Sequence, residues 1–247
     1  FGKVNVIASS KEADGTYKSI PKDLKLTPGA KYLHVTSNNT IFGTQLHQFP
    51  NVPVPLVSDM SSDICSRVVD VSKFGVIYAG AQKNLGPSGV TLVIVRKDLL
   101  GKVDRQIPTM MDYRTHIEAG SMFNTPPAFG IFVLDLVLEW LEGVGGIPGI
   151  QKINDAKAAK LYAEIDRNPL FQGTVAVEDR SRMNVCFVPV KKEHEDPFKK
   201  LCLSRGMVDF TGHRSVGGFR ASIYNAMPEA GIDAMIEAMR DFEKSNG

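Results

Sequence analysis

The sequence has few cysteines, no long apolar run and almost no excess charge. Its 247 residues include three cysteines, Cys65, Cys186 and Cys202, an odd number at wide spacing without a CxxC pair. This usage predicts free thiols in a reducing compartment, with the cytoplasm as the expected location, rather than a disulfide framework. The five histidines include no HxxxH or HExxH pair, so no metal site is predicted.

The near-neutral charge and the short apolar runs exclude two further classes. There are 29 Lys and Arg against 27 Asp and Glu, a formal net charge of +2, whereas a nucleic-acid-binding surface usually requires clustered basic residues. The apolar run at residues 90–95 is among the longest, and a membrane-spanning helix needs about 20 such residues. The sequence therefore predicts a globular protein whose partners are neither nucleic acid nor membrane.

Four short apolar runs separated by polar or glycine-rich connections predict the mostly parallel sheet of an α/β domain. They cover residues 32–36, 55–59, 75–79 and 90–95. The last run is continuous and β-branched, which is typical of a strand buried on both faces. Residues 8–31 are rich in turn formers and predict a loop with at most a short helix.

A helix is predicted after residue 124, with Thr125 as its N-cap and Pro126 at its first position. Apolar residues recur at helical spacing up to Trp140, which is therefore expected in the core. The glycines at residues 143–146 end this helix, and we place the domain boundary there. Residues 1–144 would form part of a large domain, and residues 145–247 a smaller α+β domain with helices at 148–165, 197–204 and 228–242.

Lys83 is the strongest candidate for chemistry, because it stands alone among small residues between two predicted strands. Burial of an amine lowers its pKa, so that more of the amine is neutral and its lone pair is available. A Schiff-base nucleophile requires that neutral form. An exposed turn lysine is the alternative. Asp59 lies 24 positions upstream at the end of another predicted strand, where ligands of α/β sheets bind. A carboxylate there suits the pyridine nitrogen of pyridoxal phosphate, although Asp59 taken alone favours the alternative that it caps a following helix.

Several longer motifs now complete a resemblance to a known family. The sequence resembles the phosphoserine aminotransferases, fold-type-I pyridoxal phosphate enzymes, from its first residues to its last. The motifs that carry the resemblance are DMSS from Asp59, GVIYAGAQKN from Gly75, NTPP from Asn124, RSRMNV from Arg180 and GHRSVGGFRASIYNA from Gly212.

The resemblance implies a role for each matching cofactor residue. Lys83 would be the lysine bonded to the cofactor and the proton carrier, and Asp59 would bind the pyridine nitrogen. Thr40 matches the cofactor-site threonine, although Asn-Asn-Thr stands here where the family usually has Asn-Glu-Thr. Gln82 would contact the cofactor phosphate. Asn124 and Thr125 match a pair that reaches across a homodimer to the phosphate of the partner's cofactor.

The resemblance also assigns substrate residues. Arg220 would hold the substrate α-carboxylate with its guanidinium fork. His213 and Arg214 would face the substrate phosphate or the side-chain carboxylate of glutamate; a solvated basic loop is the alternative. The four other histidines, His34, His47, His116 and His194, are interpreted as structural.

The family places a segment of a hundred-odd residues before the point that matches Phe1, with a glycine-rich phosphate turn, an aromatic residue on the pyridine ring and a further His-Arg pair. We therefore expect that this chain is a piece of the enzyme and that the piece alone is inactive. The implied reaction moves the amino group of glutamate to 3-phosphohydroxypyruvate, giving O-phosphoserine in serine biosynthesis. In bacteria the implied substrates extend to the phosphorylated four-carbon oxo acid of pyridoxine biosynthesis.

Two rival interpretations remain open at this point. One is another fold-type-I enzyme, such as an alanine–glyoxylate aminotransferase or a cysteine desulfurase, against which the pair of His213 and Arg214 argues because those substrates carry no phosphate. The other is a non-catalytic fragment that binds the cofactor or a protein partner.

Overall fold

The first half of the chain builds a four-stranded sheet. The computed structural model describes residues 2–214 and 216–247. Strands β1 (Leu33–Thr36), β2 (Leu56–Asp59) and β3 (Phe74–Gly80) are parallel neighbours, and β4 (Thr91–Val95) pairs antiparallel with β3. The predicted α/β fold class with a mostly parallel sheet is confirmed, and all four predicted strands are present.

The parallel arrangement determines where functional side chains can meet. Because β1, β2 and β3 run in one direction, their carboxyl ends lie at the same edge of the sheet. That edge continues into residues 37–40 after β1, into Asp59 at the end of β2 and into residues 81–83 after β3. Buried residues anchor the edge from below: Leu33, Leu56, Met60, Ile64, Phe74, Ile77, Ala79, Ala81 and Leu85.

The prediction that residues 90–95 are buried on both faces is wrong. Thr91 and Ile94 are exposed and the other residues of this run are only half-buried. The physical reason is position, since β4 is the edge strand of the described sheet and has a strand neighbour on one side only. A β-branched run thus forms a strand here without the burial that usually accompanies it.

Helices α1 (Tyr113–Glu118) and α2 (Ala128–Gly143) follow the sheet. The predicted capping by Thr125 is wrong, because α2 begins at Ala128 after Pro127 and has no side-chain cap. Two consecutive prolines explain the shift, since the residue before a proline is kept out of the helical region and Pro126 cannot open the helix. No helix occurs at residues 8–31.

The face of α2 expected to be core is largely exposed. Trp140 is 40% exposed and Phe129 is 75% exposed, so the prediction that Trp140 is a core residue is wrong. The helix instead turns Leu134 and Leu138 toward the core of the sheet. Among the described residues, nothing covers the opposite apolar face.

The second half of the chain forms a separate antiparallel sheet under three helices. Strands β5 (Phe171–Gly173), β6 (Asn184–Pro189) and β7 (Phe219–Ser222) lie in the order β5-β6-β7. Helices α3 (Gly146–Arg167), α4 (Glu195–Ser204) and α5 (Glu229–Asn246) complete it. The three helices match the predicted ones apart from shifts at their ends, whereas β5 was not predicted.

An aromatic cluster fills the core of this second half. Phe198 is fully buried, with ring centroids 4.7 Å from Phe171 and 5.1 Å from Phe219. The core draws its buried residues from residues 158–242, whereas the buried core of the first half uses residues 33–85. The predicted domain boundary at residues 144 and 145 falls in the segment between the two cores and remains a prediction.

Polar contacts join the two halves. The buried carboxylate of Asp179 accepts a hydrogen bond from the backbone N–H of Ile20 at 2.7 Å and forms an ion pair with Lys22. The backbone N–H of Gln45 donates to the carbonyl of Asp179 at 2.8 Å. Segments near residues 20 and 45 are therefore fixed to the second half. In the described part of the chain, no helix is both long enough and apolar enough to cross a membrane.

Candidate active site

Lys83 lies directly after β3, on a turn that leads back toward β4. Its side chain is half-buried, and Nζ donates a hydrogen bond to Oγ1 of Thr40 at 2.7 Å. Burial lowers the pKa of this amine and the charge of Arg220 lowers it further, whereas Asp59 and Asp63 oppose the shift. Lys83 is therefore not an exposed turn lysine, and the lowered pKa favours the neutral, nucleophilic amine.

Asp59 ends β2 and lies in register with Thr36 on one side and Tyr78 on the other. Its Oδ1 accepts a hydrogen bond from the backbone N–H of Ser61 at 2.9 Å, so the carboxylate also stabilises the local turn. The alternative interpretation, that Asp59 caps a helix, is wrong. No α-helix starts there; residues 61–67 form turns. Burial and the neighbouring Asp59 carboxylate raise the pKa of the Tyr78 hydroxyl, which is 2.9 Å from Nε2 of His34.

The segment after β1 presents Thr40 to the amine. Oδ1 of Asn39 accepts hydrogen bonds from the backbone N–H groups of Ile41 and Phe42 at 3.1 and 3.2 Å, which closes a tight turn around Thr40. Gly43 follows with a φ of 79°, and a Cβ there would lie 2.8 Å from the carbonyl oxygen of Asn184. The turn thus needs glycine for both its conformation and its close packing.

Arg220 reaches the same region from the second half of the chain. It lies on β7 opposite Cys186. Burial raises the pKa of the Cys186 thiol to about 12. The guanidinium is half-buried, and its Nε is buried without a hydrogen-bond partner among the described residues. An orphaned buried donor on a cation is a binding position for an anion such as a carboxylate.

The glycine-rich loop after residue 211 carries His213 and Arg214. Its ends meet where the N–H of Gly212 donates to the carbonyl of Gly218 at 2.8 Å. A Cβ on Gly212 would lie 2.0 Å from the carbonyl oxygen of Gly217, so no other residue fits there. His213 is half-buried and Arg214 is exposed.

The structure does not gather every residue that the sequence predicts. Lys83, Thr40, Asp59 and Arg220 lie together where the two halves meet. Gln82 is exposed beside Gly80, and a Cβ on that glycine would lie 2.5 Å from the Gln82 Oε1. Asn124 and Thr125 are exposed on the segment before α2, where the Asn124 amide donates to the Thr125 carbonyl at 3.1 Å.

A buried polar network beneath Thr40 was not predicted. The side-chain amide of Asn38 donates to Oγ of Ser62 and to Oδ1 of Asn184, both at 2.8 Å. The side-chain amide of Asn184 in turn donates to the hydroxyl of Ser222, at the end of β7, and to that of Tyr224, just beyond it, at 3.2 and 3.1 Å. This network ties β1, β2, β6 and β7 together. Its only sequence signal is that Asn38 and Asn184 fall inside or beside the motifs that resemble the family.

The donor set limits what the site can hold. An amine with a lowered pKa, a strand-end carboxylate, a hydroxyl group and an unpaired guanidinium fit an aldehyde cofactor with a basic ring nitrogen and an acidic substrate. The orphaned Nε of Arg220 is the structural observation that supports the acidic substrate.

Comparisons with known proteins agree with this chemistry. The sequence profile of the class-V aminotransferases matches residues 1–235. A phosphoserine aminotransferase of Flavobacterium psychrophilum is 55% identical over 98% of this chain and 68% of its own length. A phosphoserine aminotransferase structure that describes radiation damage of its Schiff base has a TM-score of 0.89 at 49% identity, covering 93% of this chain and 65% of that protein. A pyridoxal-phosphate-bound phosphoserine aminotransferase of Trichomonas vaginalis has a TM-score of 0.90 at 39% identity, covering 96% and 68%.

These shares mean that the chain spans about two thirds of the length of the relatives it matches. Within that span the similarity covers both sheets, since the aligned fraction of this chain is above nine tenths.

Proposed function

This chain belongs to the phosphoserine aminotransferase family of class-V transaminases, which use pyridoxal phosphate, and on that premise we propose how its residues move an amino group. The reaction takes the amino group of L-glutamate to 3-phosphohydroxypyruvate, giving O-phospho-L-serine and 2-oxoglutarate. The observation that carries the proposal is the half-buried Lys83 amine, 2.7 Å from Thr40 and influenced by both Asp59 and Arg220.

Four residues would hold the cofactor. Lys83 supplies the amine that bonds to it, Asp59 the carboxylate for its ring nitrogen, Thr40 a hydroxyl group and Gln82 a contact to its phosphate. When bound, pyridoxal phosphate supplies an electron sink for the bond broken at the substrate α-carbon. Asp59 is suited to its role because it lies at the carboxyl end of a parallel strand, where α/β sheets bind ligands.

Lys83 would also take the proton that leaves the substrate α-carbon and pass it to the aldehyde-derived carbon of the cofactor within the same half-reaction. It would move a proton in the opposite direction when the second substrate is aminated. A base is most effective when its pKa lies near the working pH. Burial and Arg220 both move the pKa of Lys83 in that direction. The Thr40 hydroxyl accepts from the amine at 2.7 Å and so orients it.

Arg220 binds the α-carboxylate that both substrates share, and the buried unpaired Nε supports this role. His213 and Arg214 bind the distal anion, which is phosphate in one substrate and a carboxylate in the other. A hydrogen bond between Gly212 and Gly218 closes the loop that carries them. Arg214 is exposed, so its guanidinium stays hydrated and pays no desolvation free energy before an anion binds.

We further propose that the enzyme is a homodimer with shared active sites. Asn124 and Thr125 are exposed and are not buried against their own chain. The adjacent helix α2 exposes Phe132 (59%) and Trp140 (40%), an apolar face that suits burial against another chain or segment. In this arrangement Asn124 and Thr125 would complete the cofactor-phosphate site of the partner subunit.

A mixed dimer tests the shared site. One chain carries Lys83→Ala and the other carries Thr125→Ala. If Thr125 serves the partner, one site carries both lesions and the other carries none, so that about half of the wild-type activity survives. If Thr125 serves its own chain, each site carries one lesion and only the activity of the Thr125→Ala site remains, which would contradict the proposal. Each variant as a homodimer is the control.

The cytoplasm is the proposed location, and residues 1–144 and 145–247 are the proposed domains. The three cysteines are unpaired, which supports a reducing compartment. The two separate cores support the domain division.

The reaction itself is tested by the glutamate half-reaction. The full-length enzyme is loaded with pyridoxal phosphate, and its absorbance is followed on addition of L-glutamate, L-alanine or O-phospho-L-serine. We expect spectral conversion with glutamate and phosphoserine and little with alanine. Conversion by alanine at the rate of phosphoserine would instead favour an alanine–glyoxylate aminotransferase. No conversion by any of the three, with the cofactor bound, would favour a non-catalytic binding role.

A further inference from the structure

Lys157 is a buried lysine that the proposed reaction does not use. It lies on the inward face of α3 beside Asn154 and Leu161, and only 1% of it is exposed. Burial lowers the pKa of its amine to about 8, and no acidic side chain of the described residues offsets that effect. A lysine without a carboxylate partner is rare in a protein interior, because the charged form loses its hydration there.

Backbone carbonyl groups replace the missing carboxylate. Nζ of Lys157 lies 3.2 and 2.9 Å from the carbonyl oxygens of Ile223 and Tyr224, and 3.4 and 3.0 Å from those of Asn225 and Met227. These carbonyls belong to the turn that follows β7, where the chain leaves the sheet and its carbonyl groups lose their ladder partners. An ammonium group has three N–H donors and can join several of them at once.

The same turn contacts the segment that carries Lys83. The backbone N–H of Asn225 donates to Oδ1 of Asn84 at 3.1 Å, and its side-chain amide donates to the carbonyl of Cys65 at 2.9 Å. Asn154, one helical turn before Lys157, donates to Oδ1 of Asn225 at 2.8 Å. The turn at residues 223–227 thus lies between β7, which carries Arg220, and the residue next to Lys83.

We propose that Lys157 is a positioning residue that holds the turn at residues 223–227 and thereby keeps Arg220 and Lys83 at the spacing that the reaction needs. The inference rests on the proposed roles of Arg220 and Lys83. Lys157 touches neither substrate nor cofactor, and it acts through four carbonyl groups and Asn225. Because both substrates place an α-carboxylate on Arg220, a displaced turn affects both of them equally.

The test uses Lys157→Met, which keeps the length and apolar character of the stem and removes the ammonium group. Its matched control is Lys160→Met, which alters an exposed lysine on the same helix that pairs with Glu229 and Asp233. Two readouts are compared. One is amide hydrogen exchange in the cofactor-free protein, and the other is the KM of the loaded enzyme for glutamate and for 3-phosphohydroxypyruvate.

For Lys157→Met, we expect exchange to be at least about tenfold faster at both residues 219–227 and residues 81–86, because local openings expose these amides. KM should rise for both substrates by the same factor, on the order of ten- to a hundredfold, because misplacement of binding groups costs this much. Lys160→Met should change neither. If Lys157→Met does not fold, Lys157→Gln, which retains two N–H donors, should show the same pattern at smaller amplitude.

Two results would overturn the proposal. One is faster exchange at residues 219–227 with unchanged exchange at residues 81–86, and the other is faster exchange at both segments with unchanged KM; either makes Lys157 purely structural. Failure of the proposed function would give a different result. In that case Arg220→Ala would leave the KM for both substrates unchanged. The faster hydrogen exchange of Lys157→Met would still be observed, because it is measured without cofactor.

Discussion

The two halves of the molecule differ in how completely they bury their apolar surface. In the second half, α3, α4 and α5 enclose a three-stranded sheet around fully buried rings such as Phe198. In the first half, β4 is half-exposed and the apolar face of α2 is open. Yet Lys83, Thr40 and Asp59 all lie on the first half. The residues proposed for the chemistry therefore lie on the more open half, whereas Arg220 lies on the more closed half.

The largest effect that should separate the two halves comes from Lys83→Ala. In the full-length enzyme we expect transamination to fall by at least about a thousandfold, because the proposed roles make one residue both the covalent amine and the base that moves the proton. Thermal stability should hardly change, since the side chain is only half-buried. Steady-state rates and borohydride trapping followed by peptide mass spectrometry provide the measurement, with Lys73→Ala as the control. Near-normal turnover would remove Lys83 from the site.

Phe198→Ala should show the opposite pattern. We expect the free energy of unfolding to fall by about 3–5 kcal/mol, because a fully buried ring is replaced by a cavity. Activity per folded molecule should persist. Leu92→Ala on the half-buried β4 is the comparison in the first half, with an expected loss of about 1 kcal/mol. Urea denaturation of both variants provides the measurement, and equal losses would show that the two cores do not differ in this way.

Arg214→Ala should change substrate choice without changing either core. Loss of a charge-assisted contact to phosphate costs about 1.5–3 kcal/mol, so KM for phosphorylated substrates should rise roughly ten- to a hundredfold. Unphosphorylated analogues should lose much less. Ratios of kcat/KM for matched substrate pairs give the answer. Equal losses for both substrate types would mean that Arg214 does not bind the substrate phosphate.

The smallest expected effect concerns the electrostatic link between the halves. Arg220→Ala should raise the pKa of Lys83, because one of the two causes that lower it is removed. Competitive chemical labelling of the cofactor-free protein at varied pH should then show the reactivity of Lys83 shifted to higher pH. Arg205→Ala, which removes a surface arginine paired with Asp241, is the control. An unchanged profile would show that Arg220 does not act on the amine.

Secondary structure could be predicted where apolar spacing alone decides it. The four strands of the first sheet and the three helices of the second half occur where they were predicted, whereas α1 and β5 were not predicted. The predicted start of α2 and the predicted burial of residues 90–95 were wrong. Both errors concern neighbours rather than local pattern: Pro127 displaced the helix start, and the position of β4 at a sheet edge removed one face of its burial.

The site divides in the same way. Lys83, Asp59, Thr40 and Arg220 could be named from motifs. The proximity of the first three follows from the parallel strands, but that of Arg220 does not, because it lies on β7 of the second sheet. The roles of all four stay predictions. The network of Asn38 and Asn184 could not be predicted, because the two residues are 146 positions apart and only tertiary pairing buries them together. Lys157 was equally hidden, since a lysine within a polar helix pattern is normally assigned to the solvent face.

The attachment of Asp179 to Ile20 and Lys22 has a consequence for the order of folding. These contacts join residues 159 and 157 positions apart, and contacts of such long sequence separation slow folding because their loops must close first. During synthesis the segment near residue 20 emerges before residue 179 and has no such partner until residue 179 has been made. Docking of the two halves is therefore a late event in biogenesis, and a ribosome stalled before residue 179 would carry a nascent chain whose first sheet lacks this anchor.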